Sequence, residues 1–171
     1  MGTRILKIVS GLLCLALAAC DRSPETSGRQ PGEPVKSAAA AAAILDETTV
    51  DGTPLQIVGR ENACLLRSGA TEFPLRPKSP CFFLRRDGKV QTFRYGDAGV
   101  DWVVILAGTA VSDADRRTWN LGEAEVCGTE SQAVLQKNGL RLAKSVHSGG
   151  VYCRDKGVDE KEFWAFAHDP E

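Results

Sequence analysis

The sequence predicts a mainly β domain, an antiparallel sandwich or small barrel, and three observations carry that reading. From about Thr48 onward the apolar runs are short, often alternating and closely spaced, and no long 3.6-residue period separates them. Two dipeptides that tolerate positive φ, Asp87-Gly88 and Asn138-Gly139, fall between such runs, as hairpin turns require. Four cysteines, Cys64, Cys81, Cys127 and Cys153, lie in the same region and would brace it. The residues ahead of it have another texture, that of a disordered tether with room for one short Ala-rich helix. The expected division is therefore 1–19, a linker over 20–47 and a β domain over 48–171.

In chain order, Arg4 and Lys7 precede an apolar run from Ile8 to Ala19, the layout of a secretory signal. The run falls short of the ~20 apolar residues that a membrane-spanning helix needs. It ends in Leu17-Ala18-Ala19-Cys20, which resembles the lipobox of bacterial lipoproteins. That resemblance implies cleavage before Cys20, diacylglycerol on its thiol and an anchored chain that faces the periplasm. Asp21 directly after the cysteine resembles an inner-membrane retention signal, which favours the inner membrane slightly over the outer.

Asp21 to Ser37 is rich in Pro, Gly, Ser and charge and has no hydrophobic periodicity. Such a segment cannot bury enough surface to offset its ordering entropy, so it reads as a flexible leash. Ala38 to Ala43 is a run of alanines too short for a stable isolated helix. Ile44 and Leu45 would dock it onto the domain or leave it a frayed end.

Leu55 to Val58 and Ala63 to Leu66 read as strands, followed by a loop with Pro74, Pro77 and Pro80. Cys81 to Leu84 and Lys89 to Tyr95 flank the first hairpin turn. Asp101 to Leu106 is the most apolar run and reads as a central strand. Ser112 would cap a helical turn within Ser112 to Asn120. Ala133 to Leu135 and Leu140 to Leu142 flank the second turn, and Glu162 to Ala167 would be the last strand. Trp102, Trp119 and Trp164 read as core residues, since large aromatics dominate core burial. Arg85, Arg86 and Arg94 beside Phe93 and Tyr95 have the make-up of a cationic, aromatic binding face but read first as a solvated hairpin face.

The 21 basic and 22 acidic residues include Arg4 and Lys7 but no acid within 1–19, so the mature chain carries 19 against 22, a net charge near −3. That balance shows no footprint for nucleic acid and no polybasic run for a membrane, whose contact would rest on the lipid. Of the six cysteines, Cys14 leaves with the signal and Cys20 takes the lipid. The remaining four read as two disulfides in an exported chain. Cys64–Cys81 with Cys127–Cys153 closes the shortest loops. A zinc site would need closely spaced cysteine pairs, and none occurs.

A search for catalytic chemistry finds no constellation. His147 and His168 are the only histidines. No Gly-x-Ser-x-Gly elbow, phosphate-binding glycine loop or calcium loop is present, so neither cofactor nor metal is expected. The carboxylate pairs Asp113 with Asp115 and Asp159 with Glu160 would suit a glycosidase but lie in polar segments that read as solvated loops. What remains is His147-Ser148-Gly149-Gly150-Val151-Tyr152 after the second hairpin, with Phe163-Trp164 beyond it.

Ser148-Gly149-Gly150-Val151-Tyr152 and Phe163-Trp164 together resemble the inhibitory region of the membrane-bound inhibitors of c-type lysozyme. The likeness runs from about Val134 to Trp164. It implies a small periplasmic barrel whose serine loop enters a hydrolase cleft. Departures are Ala165-Phe166 where the family has Lys-Gly, a longer Tyr152-to-Phe163 spacing, and Cys153 where it has no cysteine. On either ground His147, Ser148, Gly149, Gly150 and Tyr152 are the candidate partner-binding residues. The expected function is that of a lipid-anchored binding protein, an inhibitor or immunity protein facing a cell-wall hydrolase or a delivered toxin. An accessory role in an envelope or secretion assembly is the second expectation, and a carboxylate-dependent hydrolase the third.

Overall fold

A computed structural model describes residues 42–169; the signal, Cys20 and the leash lie outside them. Two separate antiparallel sheets face one another, so the expected β class holds in its sandwich form. The first sheet is a meander of β1 (Ala43–Val50), β2 (Thr53–Arg60), β3 (Ala63–Ser68) and β4 (Thr71–Lys78). β1 begins ahead of the expected boundary at Thr48. Ala43 and Ile44 pair with Gly59 and Val58, so these residues are strand and not linker or helix.

β4 corrects the proline loop. Pro74 and Pro77 lie within this strand, at the edge of the sheet, where a missing N–H breaks no ladder. Beyond it come β5 (Phe82–Phe83) and the tight hairpin β6 (Arg85–Arg86) and β7 (Lys89–Val90), closed by Asp87 and Gly88 at positive φ as expected.

The second sheet is built on β9 (Val100–Ala110) and β10 (Cys127–Gln136), which pair along most of their length. β9 also takes β5 and β8 (Phe93–Tyr95) on its other edge. β10 takes β11 (Leu140–Leu142) at one end and β12 (His147–Cys153) at the other. β9 is nearly all apolar because both of its faces are covered. Trp102, Val104 and Leu106 pack against Leu55, Ile57 and Leu66 of the first sheet. Val103, Ile105 and Ala107 pack against Phe163, Phe166 and Ala167 of a helix on the far side.

That helix, α2 (Glu160–Ala167), replaces the expected last strand. Phe163, Phe166 and Ala167 recur at helical spacing and are buried, while Lys161 and Trp164 fall on the open side. Asp159 caps its start by accepting the Lys161 N–H at 3.0 Å. The layers are therefore sheet, sheet and helix. The expected turn at Ser112 is present as α1 (Asp113–Thr118), with the Ser112 hydroxyl accepting the Asp115 N–H.

Both expected disulfides are formed. Arg85 is not a solvated hairpin residue. Its guanidinium forks onto Asp46 at 2.6 and 2.7 Å, and Asp46 also accepts the Phe83 N–H, so the pair ties β1 to β5 and β6. Burial alone would raise the Asp46 carboxyl, but the Arg85 fork and the Phe83 N–H outweigh it and hold it below the usual range. Arg94 pairs with Asp51, and Arg86 donates to the Val158 carbonyl. All three arginines thus join segments.

Candidate functional site

The candidate residues lie at the end of the second sheet where Cys127 and Cys153 stand opposite one another. Next to them Gly128 pairs with Tyr152, but Glu130 then pairs with Ser148. Thr129 alone faces Gly149, Gly150 and Val151, so the expected loop is a strand with a three-residue bulge. Gly149 sits at φ +82°, which glycine adopts freely. A Cβ on Gly150 would come within 3.3 Å of the Tyr152 ring, so the glycine lets that ring tuck beneath the bulge. Tyr152 is buried and belongs to the core, which withdraws it from the partner-facing set. Ser148 and Gly149 are exposed, and Gly150 half so.

His147 faces inward. Its Nδ1 lies 3.1 Å from Glu162 Oε2, and its ring stacks on Phe166 at 3.9 Å. Across the ladder from it is Ser131, whose hydroxyl is fully buried and makes no hydrogen bond. Ser131, His147 and Glu162 are the residue types of a nucleophile, base and orienting acid. A nucleophile must reach its base and its substrate, however, and this one does neither. The group reads as the joint between β10, β12 and α2.

Beside the bulge stands the segment from Val111 to Val126, which contains α1. Val111, Leu121 and Val151 pack on the Cys127–Cys153 bridge. Arg116 braces the segment by donating to the carbonyls of Gly122, Glu123 and Glu125. Lys156 pairs with Glu125 at 2.7 Å, and its hydrogen bond holds that carboxyl below its usual range. Glu125 also lies near the disulfide, but bonded sulfurs offer no thiolate to a metal. Trp119, expected in the core, is instead 58% exposed at the end of α1, and Val126 of the same segment is exposed as well. The bulge, through Val151, and the Trp119 segment, through Val111 and Leu121, thus rest on a single bridge.

The other singled-out residues have structural places. Asp113 and Asp115 stand in the first turn of α1, and Asp159 and Glu160 at the start of α2, where carboxylates complement the helix dipole. His168 caps the end of α2 and does not fray. Its Nδ1 lies 2.8 Å from the Trp164 carbonyl and its Nε2 3.1 Å from Asp97, and its ring stacks on exposed Trp164. Sequence reasoning missed the exposure of Trp164, although its place opposite Phe163, Phe166 and Ala167 at helical spacing carried that signal. For Trp119 no signal in the sequence distinguishes an exposed position from a buried one. In comparisons with known proteins, no family model, no curated protein and no solved structure matches the chain.

Proposed function

We propose that this chain is a lipid-anchored periplasmic binding protein that docks on a cell-wall hydrolase or a delivered toxin and blocks it. One observation carries the reading: the exposed Ser148-Gly149 bulge is clamped by Cys127–Cys153 on one side and by the His147–Glu162 and His147–Phe166 contacts on the other. A narrow, polar, pre-ordered prong loses little entropy on entering a partner's cleft. The exposed Trp119, on the segment that rests on the same bridge, is the residue type that most often anchors such contacts. The signal-like N-terminus and Cys20 supply the membrane address, and two or more acyl chains suffice for stable anchoring.

Purified protein with Cys20→Ser, added to muramidases and to periplasmic extracts, tests the blocking role. Inhibition that drops at least tenfold in Ser148→Arg supports it. Inhibition unchanged in that variant removes the bulge from the reading. Co-purification with envelope proteins, with every hydrolase left fully active, would favour an assembly role instead. Labelled palmitate that enters the native chain but not Cys20→Ser tests the anchor.

A further inference from the structure

The outer face of the first sheet has a composition that its sequence does not advertise. Leu55, Ile57, Cys64 and Leu66 point into the core, so the alternate residues point outward. One outward row runs Ile44, Val58, Leu65, Pro74 across all four strands, with Val58 covered and Ile44 and Pro74 exposed. Around this row lie Arg60, Arg67, Arg76 and Lys78, against the carboxylates Glu47, Glu61 and Glu72. Glu72 is engaged by Arg67 at 2.7 Å and by Arg60 at 3.2 Å. Among the described residues the side chains of Arg76 and Lys78 have no ion pair. With Arg60 they rim a shallow recess of about 400 Å³ at the β4 edge.

The opposite layer carries no such surplus. Asp159, Glu160, Glu162 and Asp169 lie on or beside α2, offset by Lys161 on the helix and by Arg141 and Lys144, which share a recess with Asp169. A net-negative domain therefore carries a surplus of cations on the outer face of its first sheet. The chain from Cys20 joins the domain at β1, an edge of the cationic sheet, beside Ile44, which is 53% exposed. We infer that the outer face of the first sheet docks on the anionic headgroups of the bilayer and turns α2 toward the periplasm. Guanidinium forks suit lipid phosphates, and each cation near such a surface raises partition roughly fivefold. This orientation gives the lipid-anchored reading a specific geometry, and it is tested without the lipid.

The full mature chain carrying Cys20→Ser is sedimented with vesicles of pure phosphatidylcholine or with 40% phosphatidylglycerol. Binding to the anionic vesicles is expected to exceed that to the neutral ones at least tenfold and to vanish in 0.5 M salt. Arg76→Glu with Lys78→Glu is expected to weaken it more than roughly 25-fold, the factor that two lost cations alone would give. Lys161→Glu, on the other face, is expected to change it less than twofold. Thermal melting of each variant confirms its fold. Equal binding to both vesicle types would overturn the inference, as would a folded Arg76→Glu/Lys78→Glu variant that binds like the parent. Palmitate labelling reports separately on Cys20, so either result stands apart from the other.

Discussion

The two disulfides close loops of similar length yet serve different parts of the molecule. Cys64–Cys81 spans 17 residues and Cys127–Cys153 spans 26. Chain entropy values them nearly alike, about 3 and about 3.5 kcal/mol. Their surroundings separate them. Cys64 and Cys81 sit in the core between the sheets, packed so tightly that a Cβ on Gly108 would approach the Cys81 sulfur to 2.8 Å. Cys127 and Cys153 lie at the margin of the second sheet and hold up the bulge and the Trp119 segment. One bridge consolidates the interior, and the other presents a surface.

The largest expected effect follows from removing the inner bridge. Cys64→Ala with Cys81→Ala loses the loop-closure term and leaves a void in the core, a combined cost of about 5 kcal/mol. Melting should fall by roughly 15–20 °C, while any affinity of the folded protein for its partner stays unchanged. Cys127→Ala with Cys153→Ala should lower stability less, by about 3.5 kcal/mol. Its partner affinity should also fall, because the prong loses one clamp. If both double variants lose stability and affinity in the same proportion, the division between an interior and a presenting bridge is broken.

The Asp46–Arg85 fork sharpens the comparison, because it joins the sheets near the inner bridge without a covalent bond. Arg85→Ala leaves a largely buried carboxylate without its cation. The expected cost is about 2–3 kcal/mol, below the roughly 3–5 kcal/mol of a fully buried pair. Because the Asp46 carboxyl is held low in the folded chain, its contribution is complete above the unfolded value near 3.9 and is lost as pH falls through the folded value. Acid unfolding of the parent below pH 4 should therefore lose one of its steps in Asp46→Asn. An unchanged acid limb in that variant would assign the step to other carboxylates.

These expectations also mark how much was legible beforehand. Asp87-Gly88, Asn138-Gly139, the Ser112 cap and both cysteine pairs could be read because turn, cap and loop-closure preferences are local. The central strand was readable from its apolar run, although its cause, burial on two faces, is tertiary. β4 was hidden because proline argues against a strand until it is known to lie on an edge. α2 was hidden because Glu162-Phe163-Trp164-Ala165-Phe166-Ala167 alternates well enough for a strand over six residues. Only the buried set Phe163, Phe166 and Ala167 decides the period. The candidate site was half legible. Its Ser148-Gly149 tip was identified, but the three-residue bulge depends on register with β10, and the inward turn of Tyr152 depends on the core beneath.

The smallest effect concerns the far end of α2, remote from both bridges in the chain. His168 is held by the Trp164 carbonyl and by Asp97, and these hydrogen bonds raise its imidazole above the usual value despite desolvation and the opposing influence of Lys137. Tyr95 and Trp164 pack against the ring and add no charge at neutral pH. A raised histidine contributes stability that is present in full below about pH 6.5 and is lost as pH rises through the folded value. The parent should therefore melt slightly higher at pH 5.5 than at pH 8 relative to His168→Gln. Proton NMR of the imidazole should show a midpoint above that of the unfolded chain, and Asp97→Asn should bring it down. Because the pair is solvent-exposed, salt should shrink both effects. A His168 midpoint at or below the unfolded value would mean that the Asp97 contact does not hold in solution, leaving the end of α2 to be fixed by Phe166 and Ala167 alone.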